Sequence, residues 1–463
     1  MNLWHHQQYT VEKFSPMRMG LDLSDPGTGK TAAHLALYAR RPGRGRCLVT
    51  APMTLMETAW ANDLDEFFPE LTYTLAYADQ RFDAFEIDSD IVVMNVDGVK
   101  ALTKKFPRTA QLAKFLRDFD HLIMDEVDAY KHASSARSRA MLKVSRHIDN
   151  RFGLSATPNP QSVTELHHPA LIVDRGKRLG TSFSAFRYSM QEAKQVGPAA
   201  NHLRWEDKPQ ANEIAHILLD DIMVRHAFEE VMTDVPPNYR ETKFLTLPSN
   251  LYQQYKQLER SMMMMLLESG QYMSVAHASA LRSKLLQLCS GAVYGEGDIE
   301  GEHDYHLLDN YRYVAAADLI EESPYSVTFF NWRHQRDEMT KELSKRKISH
   351  EIIDGNVHYK KRPEIVKAYQ NGEFQTLLIH YKTGGHGLTL TRGTRSFILS
   401  PIYEPNYFKQ TIHRIYRGGQ KEVTNTVLIC AKGTVEEVVY EKLNAGTLRM
   451  EDFLKLVQES KSR

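Results

Sequence analysis

The sequence predicts an α/β fold built from two parallel sheets in tandem, with helical additions, on three observations. Near the amino terminus an apolar segment (Met19 to Leu23), a glycine-bearing turn (Ser24 to Thr31) and an alanine-rich run (Ala32 to Ala39) follow one another as strand, turn and helix. Short β-rich runs then alternate with helical stretches in two blocks, one before about residue 170 and one after about residue 327. The chain has 463 residues, too many for one ordinary core. The expected division is 1–240 and 241–463, with helical insertions at about 170–235 and 249–320.

The turn of the first unit carries the most specific chemistry. Gly27 and Gly29 let the backbone curl so that successive N–H groups face phosphate oxygens, and Pro26 and Thr28 complete the loop. The following helix adds the positive end of its dipole. Lys30 is suited to the β/γ-phosphates of a nucleoside triphosphate and the Thr31 hydroxyl to Mg²⁺. Upstream, the planar amide of Gln7 offers both a donor and an acceptor, the chemistry needed to read an adenine edge.

The remaining elements of the first block follow in order. Arg46 to Pro52 reads as a buried strand, a helical stretch holds Trp60, Leu64 and Phe67, and Ile91 to Met94 is another apolar run. Leu122 to Met124 delivers Asp125-Glu126-Val127-Asp128 at a strand's carboxyl end, where ligands bind in open α/β sheets. There Asp125 is suited to a metal's water shell and Glu126 to orienting and deprotonating an attacking water. Ser155 and Thr157 follow a short strand. They either hydrogen-bond the acidic box and report the state of the γ-phosphate or serve as local caps.

The middle third reads as helical, with Asn212 to His226 and 249–290 as its main stretches and Pro236-Pro237 as a break. Met262 to Leu267 is far short of the roughly 20 residues that cross a bilayer, and reads as one wall of a buried helix. In the second block the strands are Val327 to Phe330, Ile352-Ile353, Thr376 to Ile379, Phe397 to Leu399 and Thr426 to Ile429, with a helix over Gln335 to Lys345. Thr434 to Glu437 fits a capping box. Thr383 to Leu388 offers the bare amides of Gly384, Gly385 and Gly387. Gln410 to Gln420 puts Arg414 and Arg417 at helical spacing on one face, either a solvated pair or two guanidinium groups able to neutralise charge on a transferred phosphoryl group.

Composition sets limits. The chain is 42% hydrophobic and 25% charged with zero formal net charge, so a nucleic-acid surface must be local. Cys47, Cys289 and Cys430 are too few and scattered for a disulfide framework or a zinc site, which favours a reducing, cytoplasmic compartment. The polar amino terminus lacks the apolar core of a signal peptide, and no membrane partner is expected. The pairs His5-His6 and His167-His168 read as surface residues.

In this order, these segments resemble the superfamily 2 helicase-like ATPases, and within them the Swi/Snf-type DNA translocases. Leu3 to Gln7 resembles the adenine-reading glutamine motif and Ser24 to Thr31 motif I. Leu48 to Pro52 with Trp60 resembles motif Ia. Asp125-Glu126 with Lys131 and Ser135 resembles the acidic box, and Leu154 to Pro158 with Glu165-Leu166 motif III. Ile353 to Gly355, Gly384 to Leu390 and Gln410 to Gln420 match the later motifs, and the ending Arg417-Gly-Gly-Gln420 points to Swi/Snf. Asp128 stands where that family carries a histidine.

The resemblance implies two RecA-like lobes using ATP and Mg²⁺. It assigns Lys30, Asp125, Glu126, Arg414 and Arg417 to catalysis and Gly387 to the nucleotide. Ser155, Thr157, Gly384, Gly385, Gln410 and Gln420 go to coupling or DNA. It also implies a bare motor core of viral or bacterial type, moving on double-stranded DNA, with a possible protein partner in replication, repair or restriction. Two other outcomes stay open: a strand-separating or annealing helicase on forks or RNA, and a nucleotide-gated DNA-binding subunit of a larger complex.

Overall fold

The computed structural model describes residues 2–156, 162–195, 203–268, 275–295, 305–358, 361–384 and 388–445. The expectations for Thr157, Gly385 and Gly387 lie outside them. The chain divides into two compact units, the first carried by residues up to Asp234 and the second beginning at Val235.

The first unit holds β1 (Met19–Asp22), β2 (Arg46–Ala51), β3 (Tyr73–Ala76), β4 (Ile91–Asn95), β5 (Phe119–Asp125), β6 (Asn150–Leu154), β7 (Gln191–Gln195), β8 (Leu203–Asp207) and β9 (Met223–Val224). Seven of these form one sheet in the order β3-β4-β2-β5-β6-β1-β9, and every pairing in it is parallel. Successive residues of a strand point to opposite faces, so each strand feeds two cores. Leu48, Val92, Met94, Leu122 and Met124 enter one apolar cluster. Their neighbours Val49, Ile91, Val93 and Ile123 enter the other. Burial on both faces is why these strands read as continuous apolar runs.

The second unit holds β10 (Asn238–Leu245), β11 (Ala292–Tyr294), β12 (Tyr305–Leu307), β13 (Ser326–Phe330), β14 (His350–Ile353), β15 (Thr376–His380), β16 (Arg395–Ile398) and β17 (Thr424–Ala431). Its six-stranded sheet runs β10-β17-β16-β13-β15-β14, again with every pairing parallel. Two parallel α/β sheets in tandem are therefore the architecture. Because β10 pairs with β17 from Asn238 onward, residues 238–240 belong to the second sheet.

Several local expectations are corrected. The helix expected over Asn212 to His226 stops at Leu219, and Met223–Val224 joins the edge of the first sheet beside β1. A two-residue strand held by backbone pairing has no side-chain period to read. The helical insertions also contain β-structure, the antiparallel hairpins β7–β8 and β11–β12. In the methionine run Met262 is buried but Met264 is 59% exposed. His6, His167 and His168 are buried, and only His5 of the two histidine pairs is exposed. Thr434 caps its helix by accepting from the Glu436 N–H, but Glu437 accepts from Gly433 N–H rather than from Thr434. No described helix is long and apolar enough to cross a membrane.

Candidate nucleotide site

The glycine loop spans the gap between β1 and α2 (Lys30–Ala39), and Gly29 is the helix's N-cap. Gly27 and Gly29 both take left-handed backbone, φ 81° and 73°. That conformation is open to glycine and strained for other residues. Gly29 is also packed from behind, where a Cβ would stand 2.3 Å from Gln7 Nε2 and 2.9 Å from the Trp4 ring.

Two neighbouring segments hold the loop. From α1 (His5–Phe14), His6 Nε2 donates to Thr28 O at 2.8 Å and Gln7 Nε2 donates to Gly29 O at 3.0 Å. From the chain after β9, His226 N–H donates to Ser24 Oγ at 3.1 Å and Phe228 N–H to Asp25 Oδ2 at 3.1 Å, while Asp25 N–H donates back to His226 O at 2.9 Å. Within the loop, Lys30 Nζ donates to Ser24 O at 2.7 Å and Asp25 O at 3.0 Å. The ammonium is thereby tethered to the loop it serves. Thr31 stands in the first turn of α2, partly exposed.

Gln7 is engaged at both ends of its amide. Its Oε1 accepts the Trp4 N–H at 2.9 Å while Nε2 serves Gly29, and the side chain is buried. The Nε2 end braces the loop, and the Oε1 end closes the start of α1.

At the end of β5, Asp125 is 8% exposed. Its Oδ2 accepts from Trp60 Nε1 at 2.9 Å and its Oδ1 from the Glu126 N–H at 3.1 Å. Burial pushes the Asp125 carboxyl above the usual carboxylate range, against the opposing pull of the Trp60 hydrogen bond and the Lys30 charge. Glu126 has left-handed backbone, φ 52°. For a residue with a Cβ this costs about 1–2 kcal/mol, the kind of strain that collects at functional positions. Ser155 Oγ donates to Asp128 Oδ1 at 3.4 Å, joining the segment after β6 to the acidic box. Burial raises the Asp128 carboxyl, with the Lys131 charge opposing. Lys131 itself bridges to Glu165 at 2.7 Å.

In the second unit, Gly384 ends the short helix Tyr381–Gly384, and Gln410 is buried on the helix Pro405–Ile412. Arg414 and Arg417 lie beyond that helix in turns, not on one helical face. The carbonyls there have partners other than helical amides. Leu390 N–H donates to Arg414 O at 3.0 Å, Gln420 Nε2 to Ile415 O at 3.1 Å and His413 Nδ1 to Tyr416 O at 3.0 Å. Arg414 is 5% exposed and Arg417 half-buried.

Gln420 is held from inside the turn. Its Nε2 also donates to Thr391 O and Gly393 O, its Oε1 accepts the Lys421 and Glu422 N–H groups, and it is buried. Its amide is an internal anchor of the turn, bonded to backbone at both ends. Sequence reasoning missed the bracing of the loop by His6 and His226 and the indole bond to Asp125. Only the sequence position of Trp60 hinted at the last. Among the described residues there is no group of three or more His, Cys, Asp or Glu side chains able to hold a metal by themselves.

The chain is similar to known proteins along most of its length. The SNF2-related domain matches residues 11–290 and the helicase conserved C-terminal domain matches residues 312–419. Protein p41 of Acyrthosiphon pisum secondary endosymbiont phage 1 is 24% identical over 444 residues, covering 90% of each chain. YwqA of Bacillus subtilis, named as an ATP-dependent helicase/translocase, is 24% identical over 438 residues, which is 90% of this chain and 44% of YwqA. Chromodomain-helicase-DNA-binding protein 1-like of Mus musculus is likewise 24% identical, over 436 residues. The chain thus spans nearly all of the phage protein but less than half of YwqA and of the mouse protein.

Proposed function

The chain belongs to the SNF2-related family, and from that premise we propose that it is a DNA-stimulated ATPase that translocates on double-stranded DNA. The two parallel sheets are then the RecA-like lobes of the motor. The observation that carries the reading is the braced glycine loop, with Lys30 tethered to it and a desolvated Asp125 at the neighbouring strand end. Relatives named as helicase/translocase and as DNA-binding support the nucleic-acid side.

The residues fit a triphosphate. Gly27, Thr28 and Gly29 present loop amides at a helix amino end, and Lys30 is the charge that meets the β/γ-phosphates. Thr31 and Asp125 would hold Mg²⁺, which when bound neutralises phosphate charge. Asp125 fits because its hydrogen bonds come from N–H donors and leave lone pairs on a buried carboxylate. Glu126 orients the attacking water and takes its proton. Arg417 neutralises charge developing on the transferred phosphoryl group. Ser155 and Asp128 carry the state of the site into the segment after β6.

A triplex-displacement assay run beside a strand-displacement assay tests this function. ATP-dependent triplex displacement without strand separation is the expected result. Strand separation favours a helicase proper, and failure in both with ATP and DNA bound favours a nucleotide-gated binding subunit.

A further inference from the structure

Beneath the loop lies a polar pair that the phosphate chemistry does not use. Asp22 closes β1, and His34 stands one turn beyond Lys30 on α2. Asp22 Oδ2 lies 3.3 Å from His34 Nε2, with the two side chains 2% and 0% exposed. The imidazole is set between Phe14 and Phe152, with ring centroids 5.9 and 5.7 Å away. Its Nδ1 is buried with no hydrogen-bond partner among the described residues, so no longer relay leaves the ring on that side. Asp22 Oδ1 accepts the Ser24 N–H at 3.1 Å, and Asp22 O accepts the Ser155 N–H at 3.0 Å.

A buried pair of this kind is a weak source of stability. Desolvation offsets most of the attraction, and apolar side chains of similar volume often serve the fold equally well. What apolar side chains cannot supply is direction. Asp22 and His34 stand at the two ends of the loop, one on the strand before it and one on the helix after it. Ser24 is the residue they orient. It is held at three atoms: N–H by Asp22, Oγ by the His226 N–H, and carbonyl by Lys30. Its backbone therefore links the buried pair directly to the lysine.

We propose that Asp22 and His34 are positioning residues for the triphosphate site: together they pin strand to helix across the loop, and through Ser24 they fix where the Lys30 ammonium is held. The pair touches no reacting atom. Its effect is to keep the loop in its phosphate-ready shape before nucleotide arrives, so that binding does not have to restore it. The inference rests on the glycine loop being a nucleotide site.

The test is the apolar double variant D22L/H34L of the full chain, with thermal melting, equilibrium ATP titration and steady-state kinetics. The expected result is a wild-type-like melt with a KM for ATP raised about tenfold and kcat within about twofold, the pattern of lost ground-state organisation. Wild-type KM and affinity in a folded double variant would overturn the proposal, because a merely structural pair is replaceable. D22N keeps the inference open to refutation if the double variant fails to fold. Its Oδ1 still accepts the Ser24 N–H and its Nδ2 donates to His34 Nε2 in the ring's other neutral tautomer, which keeps both ties without the charge, so affinity within about threefold of wild type is expected. A tenfold or greater loss in D22N would show that charge rather than positioning is at work, and would also overturn it. Wild-type protein that fails to bind ATP in the same titration refutes the nucleotide-site reading instead.

Discussion

Replacing Gly29 by alanine tests the loop at the point where its geometry is tightest. The residue sits at φ 73° and ψ 36°, where a Cβ costs roughly 1–2 kcal/mol. That Cβ would also lie 2.3 Å from Gln7 Nε2, closer than real contacts allow. Gln7 is buried and hydrogen-bonded at both ends, so it must shift and give up its bond to Gly29 O, about 1 kcal/mol more. The sum is about 2–3 kcal/mol, which corresponds to nucleotide binding weakened roughly 30- to 150-fold when the relaxed loop must be restored on binding. Gly43 provides the control. It too has positive φ, 61°, but a Cβ there meets nothing within 4 Å, so Gly43→Ala leaves nucleotide affinity unchanged. Calorimetric titration of Gly29→Ala, Gln7→Ala and the double variant closes the cycle. Removing Gln7 relieves the clash, so the two effects couple by about 1 kcal/mol or more. Wild-type affinity in Gly29→Ala, or strict additivity with Gln7→Ala, would mean that the loop tolerates a side chain at Gly29.

Three further outcomes are expected. Glu126→Gln retains ATP binding but lowers turnover by about 10²–10⁴-fold, measured as phosphate release with duplex DNA; unaltered turnover removes Glu126 as the general base. Arg417→Ala lowers DNA-stimulated turnover by roughly 10³–10⁵-fold, while Arg417→Lys recovers little because a single ammonium lacks the planar fork. Arg312→Met leaves Glu436 without its buried ion-pair partner and takes the guanidinium hydrogen bond from the carbonyl of Leu399 and one of the donors from those of Ile429 and Cys289. That costs about 3–5 kcal/mol of stability in the second unit, read from a urea melt, and an unmoved midpoint contradicts it.

How much of this was legible in the sequence follows from which interactions leave a local pattern. Leu48 and Val49 feed opposite faces of a fully buried strand, and such runs announce themselves in both units. Gly27, Gly29, Lys30 and Thr31 carry their chemistry in residue type and spacing, and the loop stands where that spacing puts it. β10 was silent because an edge strand exposed along most of its length, with Tyr239 and Phe244 facing solvent, has no apolar period. β9 was silent because backbone partners alone define it. In the second unit, Arg414 and Arg417 have helical spacing, but the carbonyl partners that end the helix come from Leu390, His413 and Gln420, which no local rule anticipates. The bond from Trp60 to Asp125 and the contact of Asp22 with His34 join positions 65 and 12 residues apart. Long-range side-chain pairs of this kind become visible only once helix has packed against sheet.

The steady-state ATP hydrolysis rate of the wild-type chain with duplex DNA, single-stranded DNA and RNA, each at matched salt, decides whether this is a motor driven by double-stranded DNA. Hydrolysis is expected to rise with duplex DNA above the other two and to disappear in Lys30→Ala. A rate indifferent to all three nucleic acids, or one that survives loss of the lysine, would contradict a motor of that kind.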